Sequence, residues 1–244
     1  MHHGERFLFF SSQAITDWSV CGGSKNMTRK AELEENLGEV KNKIAAAADH
    51  EVVLVVVTKS FPASDVEILS QLGVCDFGEN RDSEGAEKSK AVPATWHFQG
   101  QIQSNKLKSI TSWATVIHSL DELRHFELIE KIAPHPLSIF LQVSLDGAHH
   151  RGGAKSEDLY ELARAIENSS KHRLSGIMSV PPLSMDPARA YEQLQQIHME
   201  FKREFPGATG LSAGMSGDYE MAISYGATHV RVGSSILGSR SPPR

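Results

Sequence analysis

Residues 52–57 read Val-Val-Leu-Val-Val-Val, an unbroken apolar run with no polar alternation. A strand with one wet face alternates. This one is suited to burial on both faces, as in a parallel sheet with helices packed outside it. Similar short apolar runs follow at 74–77, 96–98, 115–119, 137–144, 174–180, 209–212 and 229–232, separated by stretches with helical character. Ahead of them Leu33, Leu37, Val40 and Ile44 recur at intervals of three and four, with acids early and lysines late. That spacing predicts a leading amphipathic helix. Eight strand-helix units with no intervening linker rich in Pro, Gly or Ser predict an α/β fold. The expected form is one closed (β/α)8 TIM barrel over residues 27–244, with an open doubly wound sheet as the alternative.

Composition excludes several classes. The 244 residues are 40% hydrophobic and 23% charged, enough to bury a sizeable core. Thirty acids against 25 bases leave a formal net charge of -5, which argues against broad attraction to nucleic acid or an anionic membrane. A small local anion site stays compatible with that balance. Two cysteines, Cys21 and Cys75, make neither a disulfide framework nor a four-ligand zinc site, so a reducing cytoplasm is expected. No apolar stretch is long enough to span a bilayer. Residues 1–26 read as a disordered leader or an added extension, with Met27 opening the ordinary chain.

In a barrel of this kind the chemistry sits at the carboxyl ends of the strands. Those ends read Lys59, Glu79-Asn80, His97, Ser119, Ser144, Pro181, Ser212 and Arg231 to Gly233. Lys59, at the lip of a dry barrel, is an amine suited to attack an aldehyde, or else an exposed lysine capping its strand. After the seventh and eighth strands, Ser212, Ser216 and Gly217, and then Gly233, Ser234 and Ser235, form two small-residue loops. Each leads toward a helix start, so the pair suggests a phosphate monoester site, with ordinary capping as the plain alternative. Arg231 has the parity of Gly233 and points inward, either to hydrogen-bond a ligand or to pair with an acid inside the barrel. Cys75 reads as a core residue, and Asp186-Pro187 as an N-cap followed by a first-turn proline. The His pairs at 2–3 and 149–150 lack metal-ligand spacing, and the second sits in a loop after strand five.

The segments VVVTKSFPASD (55–65), DFGEN (76–80), WHFQGQIQSNK (96–106), HSLD (118–121) and GLSAGMSGDYEMAISYGATHVRVGSSILG (210–238) together resemble the YggS-like pyridoxal phosphate homeostasis family. The resemblance extends over 31–240. It implies a fold-type-III barrel, like that of the alanine racemase N-terminal domain, binding pyridoxal 5'-phosphate (PLP) as an aldimine of Lys59. It further implies Asn80 and His97 on the cofactor's rim, Ser212, Met215 and Ser216 beside it, and Arg231 near the pyridine nitrogen. Gly233 and Ser234 fall at the phosphate. The sequence departs from the family pattern at Gln101, at Ala213 and at Asp82-Ser83-Glu84, and none of these positions is Lys59 or lies in the phosphate loops.

A racemase of this class needs two acid/base groups, one on each face of the substrate. In alanine racemase the second is a tyrosine from an additional domain. Here the chain ends soon after the eighth strand, and Tyr160, Tyr191, Tyr219 and Tyr225 fall in predicted helices. The expectation is a carrier that holds PLP reversibly and supports vitamin B6 and amino-acid balance without robust turnover. It has no catalytic residue and no metal. Its partners are PLP and PLP-dependent apoenzymes, not nucleic acid or membrane, and it is a monomer or weak dimer. The rivals are a PLP-dependent amino-acid racemase, a Schiff-base aldolase and a PLP-responsive regulatory protein.

Overall fold

A computed structural model of the chain describes residues 27–148 and 152–239, so the leader read at 1–26 and the His149-His150 pair lie outside the described residues. Helix α1 (Arg29–Ala47) starts where Thr28 Oγ1 accepts the Ala31 N–H, and it buries the expected Leu33, Leu37, Val40 and Ile44. The strands are β1 (Val53–Val57), β2 (Asp76–Glu79), β3 (Thr95–Phe98), β4 (Val116–Leu120), β5 (Ser138–Gln142), β6 (Arg173–Met178), β7 (Gly210–Ser212) and β8 (His229–Val232). They pair in sequence order, all parallel, and β8 returns to β1, which closes the barrel and leaves no sheet edge. Among the described residues no helix is long and apolar enough to cross a membrane.

Between the strands run α2 (Ala63–Gln71), α3 (Asp82–Ala91), α4 (Leu107–Trp113), α5 (Leu123–Ile132), α6 (Ser156–Glu167), α7 (Pro187–Glu204) and α8 (Tyr219–Ser224), and α9 (Ser234–Leu237) follows β8. Only four residues long, α9 cannot cover the sheet beside β8. The leading helix takes that place, packing against α8, α9 and α2. Arg29 fastens it, donating to both Asp65 carboxylate oxygens at 3.2 and 2.7 Å and to Leu237 O at 3.0 Å. Asp186 caps α7 and Pro187 opens it, as the sequence predicts.

The period of two divides the core. Val56, Phe77, Trp96, Ile117 and Ile139 join the helices in one large apolar cluster. Val116, Phe140 and Met178 form a small separate cluster in the barrel interior. Beside them and the inward Val55 and Val57, the interior holds His97, His118, Ser212 and Arg231, all buried. Most barrels fill this space with branched aliphatic side chains.

Two expectations need correction. The second strand begins at Asp76 instead of 74, because residues 72–74 are still closing α2. Gly73 has φ +83°, and the Val74 N–H donates to Leu69 O at 3.0 Å. Cys75 therefore lies before the strand and is exposed, not in the core.

In β6 the register shifts where Gly176 pairs with Phe140, and Gly176 has φ +152°. A Cβ there would lie 1.8 Å from Gly210 O. Gly176→Ala is expected to cost about 3 kcal/mol or more in urea unfolding, through both strain and overlap. Gly207→Ala, whose Cβ would meet nothing within 4 Å, is expected to change stability by less than about 0.5 kcal/mol.

Candidate functional site

At the carboxyl ends of the strands the barrel opens into a cavity of about 270 Å³. Strand register explains which side chains reach it. Val57 pairs with Gly78, and Gly78 with His97. Two residues further on each strand, on the same face, stand Lys59, Asn80 and Gln99, and all three line the cavity. Gly78 makes room for this layer, since a Cβ there would fall 2.0 Å from Gln99 Nε2. That amide nitrogen is buried without a hydrogen-bond partner, an unmet donor in a residue of the cavity wall.

Half-buried Lys59 is held through its neighbours. Thr58 Oγ1 donates to Glu79 Oε1 at 2.5 Å, and Lys88 Nζ donates to the same oxygen at 2.6 Å and to Thr58 O at 2.8 Å. On the other side the Ser60 N–H donates to Glu84 Oε2 at 2.6 Å, and Ser60 takes a left-handed φ of +69°. Burial raises the Glu79 carboxyl pKa, and Lys88 and Thr58 offset it in part. For Glu84 burial acts in the same direction, but the Ser60 N–H, Lys88 and Arg81 outweigh it and hold the carboxyl below its ordinary value. Glu84, next to the departures at Asp82 and Ser83, fixes the turn that carries Lys59.

Arg231 is the other cation. Its Nη1 donates to Ser212 Oγ at 2.8 Å and its Nη2 to Ser179 O at 3.1 Å. Neither partner is a carboxylate, so the interior salt bridge considered from the sequence is not what holds it. Burial pulls its pKa down to about 10 against the opposing fields of Tyr191 and Asp218, which leaves it charged at neutral pH. The two small-residue loops meet beside it. The N–H groups of Gly233 and Ser235 both donate to Ser216 Oγ, at 3.2 and 3.3 Å, so two main-chain donors converge on one oxygen. Asp218 braces the first loop, accepting from the Met215 N–H at 2.6 Å and from the Tyr191 hydroxyl at 2.7 Å. Burial and this carboxylate push the Tyr191 hydroxyl pKa well up. Tyr191 thus lies on a helix, as its periodicity predicts, but it supports the mouth through Asp218.

Of the residues singled out from the sequence, Lys59, Asn80, Met215, Ser216, Arg231, Gly233 and Ser234 line this cavity. Ser212 lies one hydrogen bond behind it, on Arg231. His97 does not reach it. As one register layer below Gln99, it lines a second cavity at the amino ends of the strands. Reading Trp-His-Phe as the end of β3 placed His97 at the rim, whereas the inward residue that reaches the rim is Gln99, two positions later. Among the described residues Asp121, Glu122 and His125 bring ligating atoms within 4.8 Å of one another, but an Asp121 oxygen already accepts the Gly153 N–H at 2.9 Å.

The cavity is cationic in a chain of net charge -5: it contains Lys59 and Arg231, and among the described residues no Asp or Glu lines it. Small residues let ligand atoms approach its backbone, and a Cβ at Gly233 would come to 3.0 Å from Val57 O. An amine, a fixed guanidinium, an unpaired amide donor and converging backbone N–H groups fit a compact ligand with an anionic end and an electrophilic or acceptor end.

Comparison with known proteins agrees with this chemistry. Residues 29–241 match the alanine racemase N-terminal domain family. The chain is 36% identical to the pyridoxal phosphate homeostasis protein of Mycobacterium leprae, over 88% of this chain and 96% of that protein. It is 32% identical to the protein of the same name in Escherichia coli, over 86% of this chain and 97% of that protein. PipY of Synechococcus elongatus, solved with PLP bound, superposes with a TM-score of 0.75 at 27% identity, covering 84% of this chain and all of that one. Alanine racemase from Corynebacterium glutamicum shares the fold, with a TM-score of 0.68 at 11% identity over 85% of this chain and 60% of that chain.

The buried histidines set the acid limb of stability. Burial lowers the His118 pKa far below its ordinary value and brings His198 and His229 to about 4. Between about pH 6.5 and 4 the unfolded chain binds protons that these folded rings refuse, so stability is present above that window and falls as pH drops through it. The unfolding free energy in urea is expected to fall by several kcal/mol, since each tenfold loss of proton affinity at a ring is worth roughly 1.4 kcal/mol. His198→Gln is expected to flatten the limb, and a native chain equally stable at both ends of the window would contradict it.

Proposed function

This chain belongs to the pyridoxal phosphate homeostasis protein family, and from that premise we propose that it binds PLP reversibly in the upper cavity. The reading rests on one observation: Lys59 and buried Arg231 share a cavity with no Asp or Glu among its described lining, beside a loop whose Gly233 and Ser235 N–H groups converge on the Ser216 hydroxyl. When bound, PLP supplies an aldehyde that a primary amine captures with loss of water, and a phosphate that seeks hydrogen-bond donors. Lys59 is the amine in reach, and the network around Thr58 and Ser60 orients it. Gly217, Gly233 and Ser234 give a phosphate access to the backbone, and Ser216 shares that loop. Arg231 would present a permanent donor to an acceptor on the ring, and Asn80, Gln99 and Met215 line the same cavity. Ser212 acts through Arg231.

The role that follows is carriage, with support of vitamin B6 and amino-acid balance. Exchange of an α-hydrogen between the two faces of a substrate needs a second acid/base group opposite the amine. The described lining offers no Tyr, His, Cys, Asp or Glu for that task. PLP-dependent apoenzymes are the recipients in this scheme, and the two-cysteine composition suits a cytoplasmic setting.

Added PLP is expected to give a protein-bound visible absorbance, and borohydride followed by peptide mapping is expected to tag Lys59. Lys59→Ala is expected to lose the tag and weaken binding about tenfold or more. A tag on another amine would refute the assignment. A Cβ at Gly217 would meet nothing within 4 Å, so Gly217→Asp adds a charge without a clash. It is expected to weaken PLP binding by about tenfold or more at unchanged melting temperature. Deuterium exchange at the α-carbon of added amino acids is expected to match free PLP, and exchange far above it would establish a racemase.

A further inference from the structure

Outside the cavity the barrel interior contains a second ordered feature. His118, wholly buried on β4, lies with Nδ1 2.8 Å from Ser212 Oγ and Nε2 2.8 Å from His97 Nδ1. His97 Nε2 is 3.0 Å from Asp76 Oδ1, and the Asp76 side chain is 29% exposed at the amino-end cavity. With the Arg231 to Ser212 bond these contacts run without a break from one mouth of the barrel to the other.

We infer that Asp76, His97, His118 and Ser212 form a one-way chain of hydrogen bonds that positions Arg231 from the opposite mouth of the barrel. The direction follows from donor inventory. A guanidinium only donates, so Ser212 Oγ accepts from Arg231. Among the described contacts the Ser212 hydrogen has one acceptor, His118 Nδ1. That nitrogen is therefore unprotonated, and a ring kept neutral in this setting carries its proton on Nε2. His118 Nε2–H then donates to His97 Nδ1, which makes His97 the same tautomer, and its Nε2–H donates to the Asp76 carboxylate. Each link fixes the next.

The surroundings favour this state. The His118 ring stacks on Phe140 at 4.6 Å between centroids and 6° between planes. The charged or titratable groups around the two rings are Asp76 from β2, in contact with His97, and His229 and Arg231 from β8, which act on His118; Arg173 from β6 acts on His229, and Glu51 stands at the rim of the amino-end cavity. A proton added at either Nδ1 removes an acceptor and breaks the chain. With Nη1 tied to Ser212 and Nη2 to Ser179 O, the guanidinium plane is fixed at the ligand cavity. Asp76, His97 and His118 are positioning residues in this scheme, touching no ligand themselves. Their effect on a bound ligand rests on the PLP reading above, whereas the chain itself does not.

Two measurements separate these. In the full chain without added PLP, side-chain 15N NMR near neutral pH is expected to show His97 and His118 each as the neutral Nε2–H tautomer. An Nδ1–H tautomer or an imidazolium at either ring overturns the chain. With PLP added, His118→Phe retains the stack but removes the central link. It is expected to alter the visible band or its pH profile and weaken binding about tenfold, with Lys59 still tagged by hydride. Asp76→Asn retains an acceptor oxygen and is expected to keep the native spectrum, whereas Asp76→Leu is expected to shift it in the same sense as His118→Phe. A folded His118→Phe with native spectrum and affinity overturns the positioning role. If that variant does not fold, a native spectrum and pH profile in Asp76→Leu overturn it. If the native protein gives no PLP band, the PLP reading fails and the tautomers still decide the chain.

Discussion

A guanidinium sealed inside a barrel can only donate hydrogen bonds, and much of this interior is arranged around that fact. Moving such a charge out of water costs several kcal/mol unless acceptors replace the lost hydration. Among the described residues no carboxylate touches Arg231. Its compensation comes from a backbone carbonyl, a serine hydroxyl and, through two imidazoles, a carboxylate at the other mouth. Because Arg231 cannot accept, every hydrogen bond behind it has a set direction, and in front of it the cavity faces a permanent donor.

The two lysines near the mouth show how environment separates identical side chains. Lys88 is buried on α3 against Glu79, Glu84 and the Thr58 carbonyl, and it is part of the framework. Lys59, on the following turn of β1, faces the cavity. The first steadies the second, because Glu79, which binds Lys88, also accepts from Thr58, and Glu84, which binds Lys88 too, accepts from Ser60. The left-handed backbone at Ser60 belongs to the same arrangement: a non-glycine residue there carries a modest strain, and the Glu84 carboxylate holds it in place.

Much of this was legible in the residues. Uninterrupted apolar runs announce strands buried on both faces, and their number announces a closed barrel. The end of the first strand places Lys59 at the lip, parity turns Arg231 inward, and serine-glycine clusters after the last two strands mark the loops where backbone N–H groups converge. His97 is the instructive failure. Its side chain turns inward, but a short strand carries its rim residue beyond the apolar run, at Gln99. His118 carried a usable signal, a titratable side chain inside a fully buried strand, yet its role depends on Ser212, 94 residues away. Nothing in the sequence sets Glu84 and Lys88 apart, and only their contacts with Glu79, Thr58 and Ser60 reveal them as the brace of the first turn.

The sequence by itself determined the order of the elements, the face each strand residue takes and the presence of an amine, a guanidinium and two small-residue loops at one end. Those properties follow from local periodicity and from the small side chains that close backbone approach requires. Tertiary structure alone decided which inward residues share a layer, which mouth each one meets and which way their hydrogen bonds run. Strand stagger and barrel closure set these, because they bring together residues that no local pattern relates.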